Sequence, residues 1–213
     1  MFTTSLSLFD HAPKGKRSIV CLGTPRGGTS MVAGAIAGLG VHMGTNLPVN
    51  VEDDLFNPDV FGSDGPEFIE QVSTEIAHRS AIHDVWGWKY PRASRYLPKV
   101  AHLLPSPRLV VVFRDPVPAA IRTARRNSQA NAIRATVAGK LRSELQNLNM
   151  CFELGYPTLL VSFEKAQAHP EAFLEDLSAF TGMPVPDNVS PILDFMTPGS
   201  YKDVSTLFTQ PVM

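Results

Sequence analysis

The sequence segment Gly23-Thr24-Pro25-Arg26-Gly27-Gly28-Thr29-Ser30 combines glycines, a cation and hydroxyls within a single turn. Backbone N–H groups of such a turn converge on an anion, and a helix starting there adds a favourable dipole. The spacing is that of the phosphate loop G-x-x-x-x-G-K-[ST], except that Thr29 stands at the lysine position. Arg26 supplies the positive charge from inside the turn instead. An ordinary glycine-rich connection between strand and helix is the competing reading.

A second segment, Phe113-Arg114-Asp115-Pro116, is followed by Arg122, Arg125 and Arg126. Arg122 and Arg126 share a helical face. One acid cannot neutralise these bases as surface ion pairs, so a bound polyanion accounts for them better. A third segment, Trp86-Gly87-Trp88-Lys89-Tyr90-Pro91-Arg92, offers aromatic rings either to a purine or substrate wall or to the core. Lys89, at the end of an apolar stretch, is a candidate site residue on either reading.

Each segment follows a predicted strand. Residues 18–22 (SIVCL) read as a buried strand, and residues 30–39 as a helix closed by Gly40. Gly34 and Gly38 lie on one face of that helix and predict a close approach to a sheet; each costs about 1 kcal/mol against Ala. Residues 85–89 and 109–113 predict further strands, the latter an unbroken apolar run typical of parallel strands covered on both faces. Helices are expected over 66–81 and 116–127. A longer one has Ile133, Val137, Leu141, Leu145, Leu148 and Phe152 as its apolar face and ends at Gly155. A strand at 158–163 and a helix at 170–181, closed by Gly182, complete the pattern. Alternating strands and helices mean an α/β fold with a mostly parallel sheet, whose ligands bind beyond the C-terminal strand ends.

Composition narrows the class further. With 44% hydrophobic and 18% charged residues, the 213-residue chain is not disordered. A net charge of −1 gives no global attraction to nucleic acid or anionic membrane. No apolar run approaches membrane-spanning length, no secretory signal is visible, and a cytoplasmic location is expected. Cys21 and Cys151 are too few for a disulfide framework or a cysteine-based metal site. The charge is nonetheless segregated: residues 50–70 carry seven acids and no base, and residues 114–142 carry seven bases and one acid.

The three segments, in this order, resemble the sulfotransferases that use 3′-phosphoadenosine 5′-phosphosulfate (PAPS), most closely the bacterial carbohydrate-type branch. Residues 25–30 match the family's phosphosulfate loop P-[RK]-[SG]-G-T-[ST], and Trp88-Lys89-Tyr90-Pro91-Arg92 its W-K-D-P-R-like segment. Arg114-Asp115-Pro116 matches its R-[DN]-P motif, with Arg122 where the family has a serine. The resemblance runs from about Ser18 to Gly182, with Leu160-Val161-Ser162-Phe163-Glu164 and Phe180-Thr181-Gly182 as closing elements. It implies a three-layer P-loop domain over 18–182, after an N-terminal extension (1–17) and before a C-terminal tail (183–213) packed on the same domain.

The resemblance also implies the chemistry. Arg26, Gly27, Gly28, Thr29 and Ser30 would hold the 5′-phosphosulfate, and Arg114 and Arg122 the 3′-phosphate. PAPS would donate a sulfuryl group to a hydroxyl of a carbohydrate or small metabolite, without metal. Arg26, Lys89 and Glu52 are the catalytic candidates, Glu52 because Glu52-Asp53 resembles the family's E-D pair. As general base, Glu52 would need an elevated pKa, which burial can supply. His42 and His83 are weaker alternatives. Tyr90 replaces the family's aspartate and Arg122 its serine. These departures keep two other readings in play: a P-loop kinase using ATP and Mg²⁺, and a non-catalytic nucleotide-binding relative. A homo-oligomer, and a site completed by a partner, stay open.

Overall fold

The computed structural model describes residues 3–126, 128–199 and 202–207. Its strands are β1 (Ser5–Leu8), β2 (Arg17–Leu22), β3 (Val85–Lys89), β4 (Arg108–Phe113) and β5 (Thr158–Ser162). They form a sheet of order β1-β5-β4-β2-β3. Pairing is parallel throughout except for β1, which runs antiparallel to β5 at the edge. The helices are α1 (Thr29–Gly38), α2 (Pro58–Phe61), α3 (Pro66–Ile82), α4 (Leu97–Val100) and α5 (Val117–Arg126), then α6 (Ala130–Leu154), α7 (Phe163–Ala168), α8 (Pro170–Thr181) and α9 (Ser190–Met196). Asn127, the last residue of the helix expected over 116–127, lies outside the described residues.

The apolar strand runs serve two cores because successive side chains point to opposite faces. Ile19, Cys21, Val110 and Val112 join residues of α1, α8 and α9 on one face. Val20, Leu22, Leu109 and Val111 join those of α3, α4 and α6 on the other. The result is the expected three-layer α/β architecture with a mostly parallel sheet. Among the described residues, no helix is long and apolar enough to cross a membrane.

Packing departs from the sequence pattern in two places. Gly34 and Gly38 do not face the sheet: a Cβ on Gly34 would lie 2.0 Å from the Phe195 ring, and one on Gly38 2.6 Å from Ile192. The small face of α1 therefore receives α9, in the tail whose proline-punctuated sequence predicts no element. The second departure is α6, which buries Asn147, Met150 and Cys151 and leaves Leu141, Leu145 and Phe152 exposed. The side-chain amide of Asn147 donates to the buried Gly23 carbonyl (2.9 Å). That buried hydrogen bond fixes which face of the helix turns inward.

Candidate active site

Beyond the C-terminal ends of β2, β3 and β4 opens a cleft of about 740 Å³. Arg26, Gly28, Thr29, Ser30, Glu52, Lys89, Arg114 and Arg122 all line it. The sheet order explains this convergence. β2 leads into the glycine-rich turn, β3 ends at Lys89, and β4 delivers Arg114 on the far side of β2.

The turn is built from two left-handed residues, Arg26 (φ 60°) and Gly28 (φ 89°). Glycine is required at position 28 for two reasons. The backbone there is left-handed, and a Cβ would lie 2.1 Å from the Phe163 ring. The amide of Gly27 donates to Thr24 O (2.8 Å) and is engaged within the turn. Those of Gly28, Thr29 and Ser30 open α1, and among the described residues none has a backbone acceptor. Gly27 lines only a small adjoining niche, with Arg26, Arg114, Arg122 and Lys140.

That niche gathers the cations. Arg114 donates to the Arg26 carbonyl (3.1 Å), stands 4.2 Å over the Phe163 ring and lies 3.9 Å from Glu164. Among the described residues, no carboxylate forms an ion pair with Arg26 or Arg122. Burial lowers the Arg114 pKa; Glu164 opposes this and Arg122 reinforces it. Like charges crowded at one point favour a bound anion.

Lys140 is a component that motif reading missed. From α6 it donates to Thr24 Oγ1 (3.2 Å) and to the Pro25 carbonyl, fastening the turn from beneath. Burial lowers its pKa, Glu144 opposes this, and Arg114, Arg122 and Arg26 lower it further. Lys140 and Asn147 stand two helical turns apart on one face of α6, and both donate to the turn. That spacing was readable in the sequence, but nothing there named its target. Arg125, Arg126, Arg134 and Arg142, from the same basic run, line neither cleft nor niche.

On the β3 side, the buried Lys89 ammonium donates to Glu52 Oε1 (2.8 Å), to Asn50 O (3.0 Å) and to Ser30 Oγ (3.4 Å). Burial lowers the Lys89 pKa, with Glu52 opposing. The pair joins the carboxylate to the start of α1. Asp53 turns the other way, into a buried ion pair with Arg79 (2.7 Å), and its side chain accepts from Leu55 N. The acidic run is thus largely neutralised locally: Asp53 by Arg79, Glu52 by Lys89, Asp59 by Arg92 and Arg95, and Asp64 by Arg95.

The aromatic segment belongs to the core. Trp86 and Trp88 are fully buried, Trp88 stacks on Phe56 at 4.3 Å, and its Nε1 donates to Tyr96 (2.9 Å). Tyr90, at the family's aspartate position, donates to Asp59 Oδ2 (2.8 Å). Burial, then Asp59, pushes its pKa up to about 12. Tyr90→Phe should cost about 1 kcal/mol of stability, the net worth of that hydrogen bond. Nucleotide affinity should not change, as chemical unfolding and titration calorimetry on the same variant would show. His42 and His83 stack on each other at 3.9 Å and do not line the cleft.

Fold and cleft together define an α/β protein with a cleft at its strand ends lined by Arg26, Lys89, Arg114 and Arg122. Residues 55–187 match the sulfotransferase family, and the chain belongs to that family. The matched span holds Lys89, Arg114 and Arg122 but begins after the glycine-rich turn and Glu52. Among solved structures, the chain is similar to the sulfotransferase domain of the Synechococcus PCC 7002 olefin synthase. That likeness has 17% identity and a TM-score of 0.57, covering 95% of this chain and 83% of that one. It is also similar to the sulfotransferase domain from the curacin biosynthetic pathway (14% identity, TM-score 0.57, 92% of this chain and 83% of that one). Those likenesses concern the fold. No curated protein matches the chain.

Proposed function

We propose that this sulfotransferase transfers the sulfuryl group of PAPS to a hydroxyl of a carbohydrate or small-metabolite acceptor. The observation that carries the reading is convergence. The glycine-rich turn after β2 with its free amides, Lys89 at the end of β3 paired with Glu52, Arg114 just after β4, and Arg122 on α5 line one cleft.

Arg26 and the amides of Gly28, Thr29 and Ser30 bind the 5′-phosphosulfate, while Arg114 and Arg122 bind the 3′-phosphate. Glu52 takes the proton as the acceptor oxygen bonds to sulfur and the bond from sulfur to the phosphate oxygen breaks, releasing 3′-phosphoadenosine 5′-phosphate. Lys89, held against Ser30, sets a positive charge beside the turn where negative charge develops on the leaving phosphate. As in phosphoryl transfer, positioning and electrostatics supply most of the acceleration.

Kinase chemistry is less well supported. Thr29 stands where the loop lysine would be, and Asp115 Oδ1 accepts from Val117 N (2.9 Å), capping the start of α5. The test is transfer from labelled PAPS across a panel of monosaccharides and simple alcohols. A sulfate ester from any of them supports the reading. Tight bisphosphate binding with no ester from any acceptor would instead favour the non-catalytic relative.

A further inference from the structure

The exposed face of α6 and the adjoining edge of the sheet form an apolar flank that lines neither cleft nor niche. Leu141, Leu145 and Phe152 are 51%, 56% and 57% exposed, and Leu6 and Phe9 beside them 61% and 44%. The group is continuous. Phe9 and Phe152 meet edge to face at 5.3 Å. Leu6 pairs in register with Leu160, which packs into the same core as Met150 and Cys151 of α6. Leu6 therefore points to the α6 side of the sheet. β1 is an edge strand of sequence SLSL, without the charges or proline that usually guard a free edge.

The charges on this flank indicate its occupant. Arg142 and Glu153 are both exposed, and among the described residues neither forms an ion pair. They stand eleven positions apart, about three helical turns, so they share one side of the helix with Leu145 between them along its axis. A helix face carrying a base at one end and an acid at the other is complementary to itself when turned end for end.

We propose that this flank is the interface of a two-fold symmetric homodimer in which α6 packs antiparallel on α6 of the second copy. Leu145 then lies near the axis, and each Arg142 meets Glu153 of the other copy. This is an isologous contact, the commonest kind in soluble oligomers. A 25-residue helix is about 37 Å long, and helix and sheet layers together make the flank about 20 Å deep. The resulting footprint, on the order of 700 Å² per copy, approaches the roughly 800 Å² of a stable interface.

The test is sedimentation equilibrium of the full chain, as wild type and as Arg142→Glu, Glu153→Arg and the double variant. All substituted positions are exposed and outside the cleft, so bisphosphate affinity serves as the control for folding. The expected result is a wild-type dimer at micromolar concentration, at least about tenfold weaker in each single variant, where like charges face each other twice. Dimerisation should return in the double variant, which restores the opposite pairing. Leu145→Glu should give a folded monomer. A wild type that stays monomeric at high micromolar concentration overturns the proposal, and so does a dimer indifferent to all four variants.

Discussion

Glu52→Gln should lower turnover by about 10²–10⁴-fold, the usual contribution of a general base, while bisphosphate affinity changes by less than about twofold. The substitution retains the shape of the side chain. Its amide oxygen can still accept from Lys89, as Glu52 Oε1 does now at 2.8 Å, so the turn keeps its support from β3. What it loses is the capacity to accept a proton from the acceptor hydroxyl. Rates at saturating PAPS for wild type and variant, beside calorimetric affinities, separate the two effects. Undiminished turnover would remove Glu52 from the mechanism. Lys89 adds a pH signature. Burial lowers its pKa below the ordinary lysine value, with Glu52 opposing. The cation at Ser30 therefore disappears at a lower pH than an exposed lysine's would, and the turnover profile should fall on the alkaline side accordingly.

Arg114→Ala should weaken bisphosphate binding by about ten- to a hundredfold, the worth of hydrogen bonds to a charged group. Affinity for AMP, which lacks the 3′-phosphate, should change far less. The guanidinium is held ready by Phe163 beneath it and by the Arg26 carbonyl it donates to, so little ordering remains to be done on binding. Arg122→Ala should have a smaller effect in the same direction, because that side chain is exposed and screened. Equal losses for AMP and the bisphosphate would place Arg114 at a different phosphate. Calorimetric titration of both nucleotides against each variant decides between them.

The parts of the fold read correctly from sequence were those whose signals are local. The uninterrupted apolar run ending at Phe113 announced a strand covered on both faces, and β4 is buried between two cores. The turn at residues 23–30 could be placed because its glycines and flanking elements form one continuous motif. Relations between distant elements were not legible. Gly34 and Gly38 signalled a close approach without saying to what, and the neighbour is α9, from a segment with no clear periodicity. The heptad-like spacing of Leu141, Leu145 and Phe152 resembled a core face, yet a buried hydrogen bond from Asn147 to the turn determines which side of α6 turns inward.

The candidate site shows the same division. The likeness of Glu52-Asp53 to a family pair singles Glu52 out of a run of seven acids, and the side chain stands against Lys89 at the cleft. The tryptophans beside Lys89 were ambiguous because core and ligand walls use the same residues; their complete burial resolves them as core. Lys140 carried no motif at all, and its role beneath the turn depends on a helix whose orientation only the assembled fold fixes.

Thermal unfolding with 3′-phosphoadenosine 5′-phosphate, beside AMP and beside ATP with Mg²⁺, tests the central claim most directly. Ligand at a hundred times its dissociation constant should stabilise the fold by about 2.7 kcal/mol. For a domain of this size that is a rise of roughly 5 to 10 °C in midpoint. The account predicts that rise with the bisphosphate and at most a much smaller one with AMP at the same concentration. A rise confined to ATP with Mg²⁺, or none with any of the three, would contradict it.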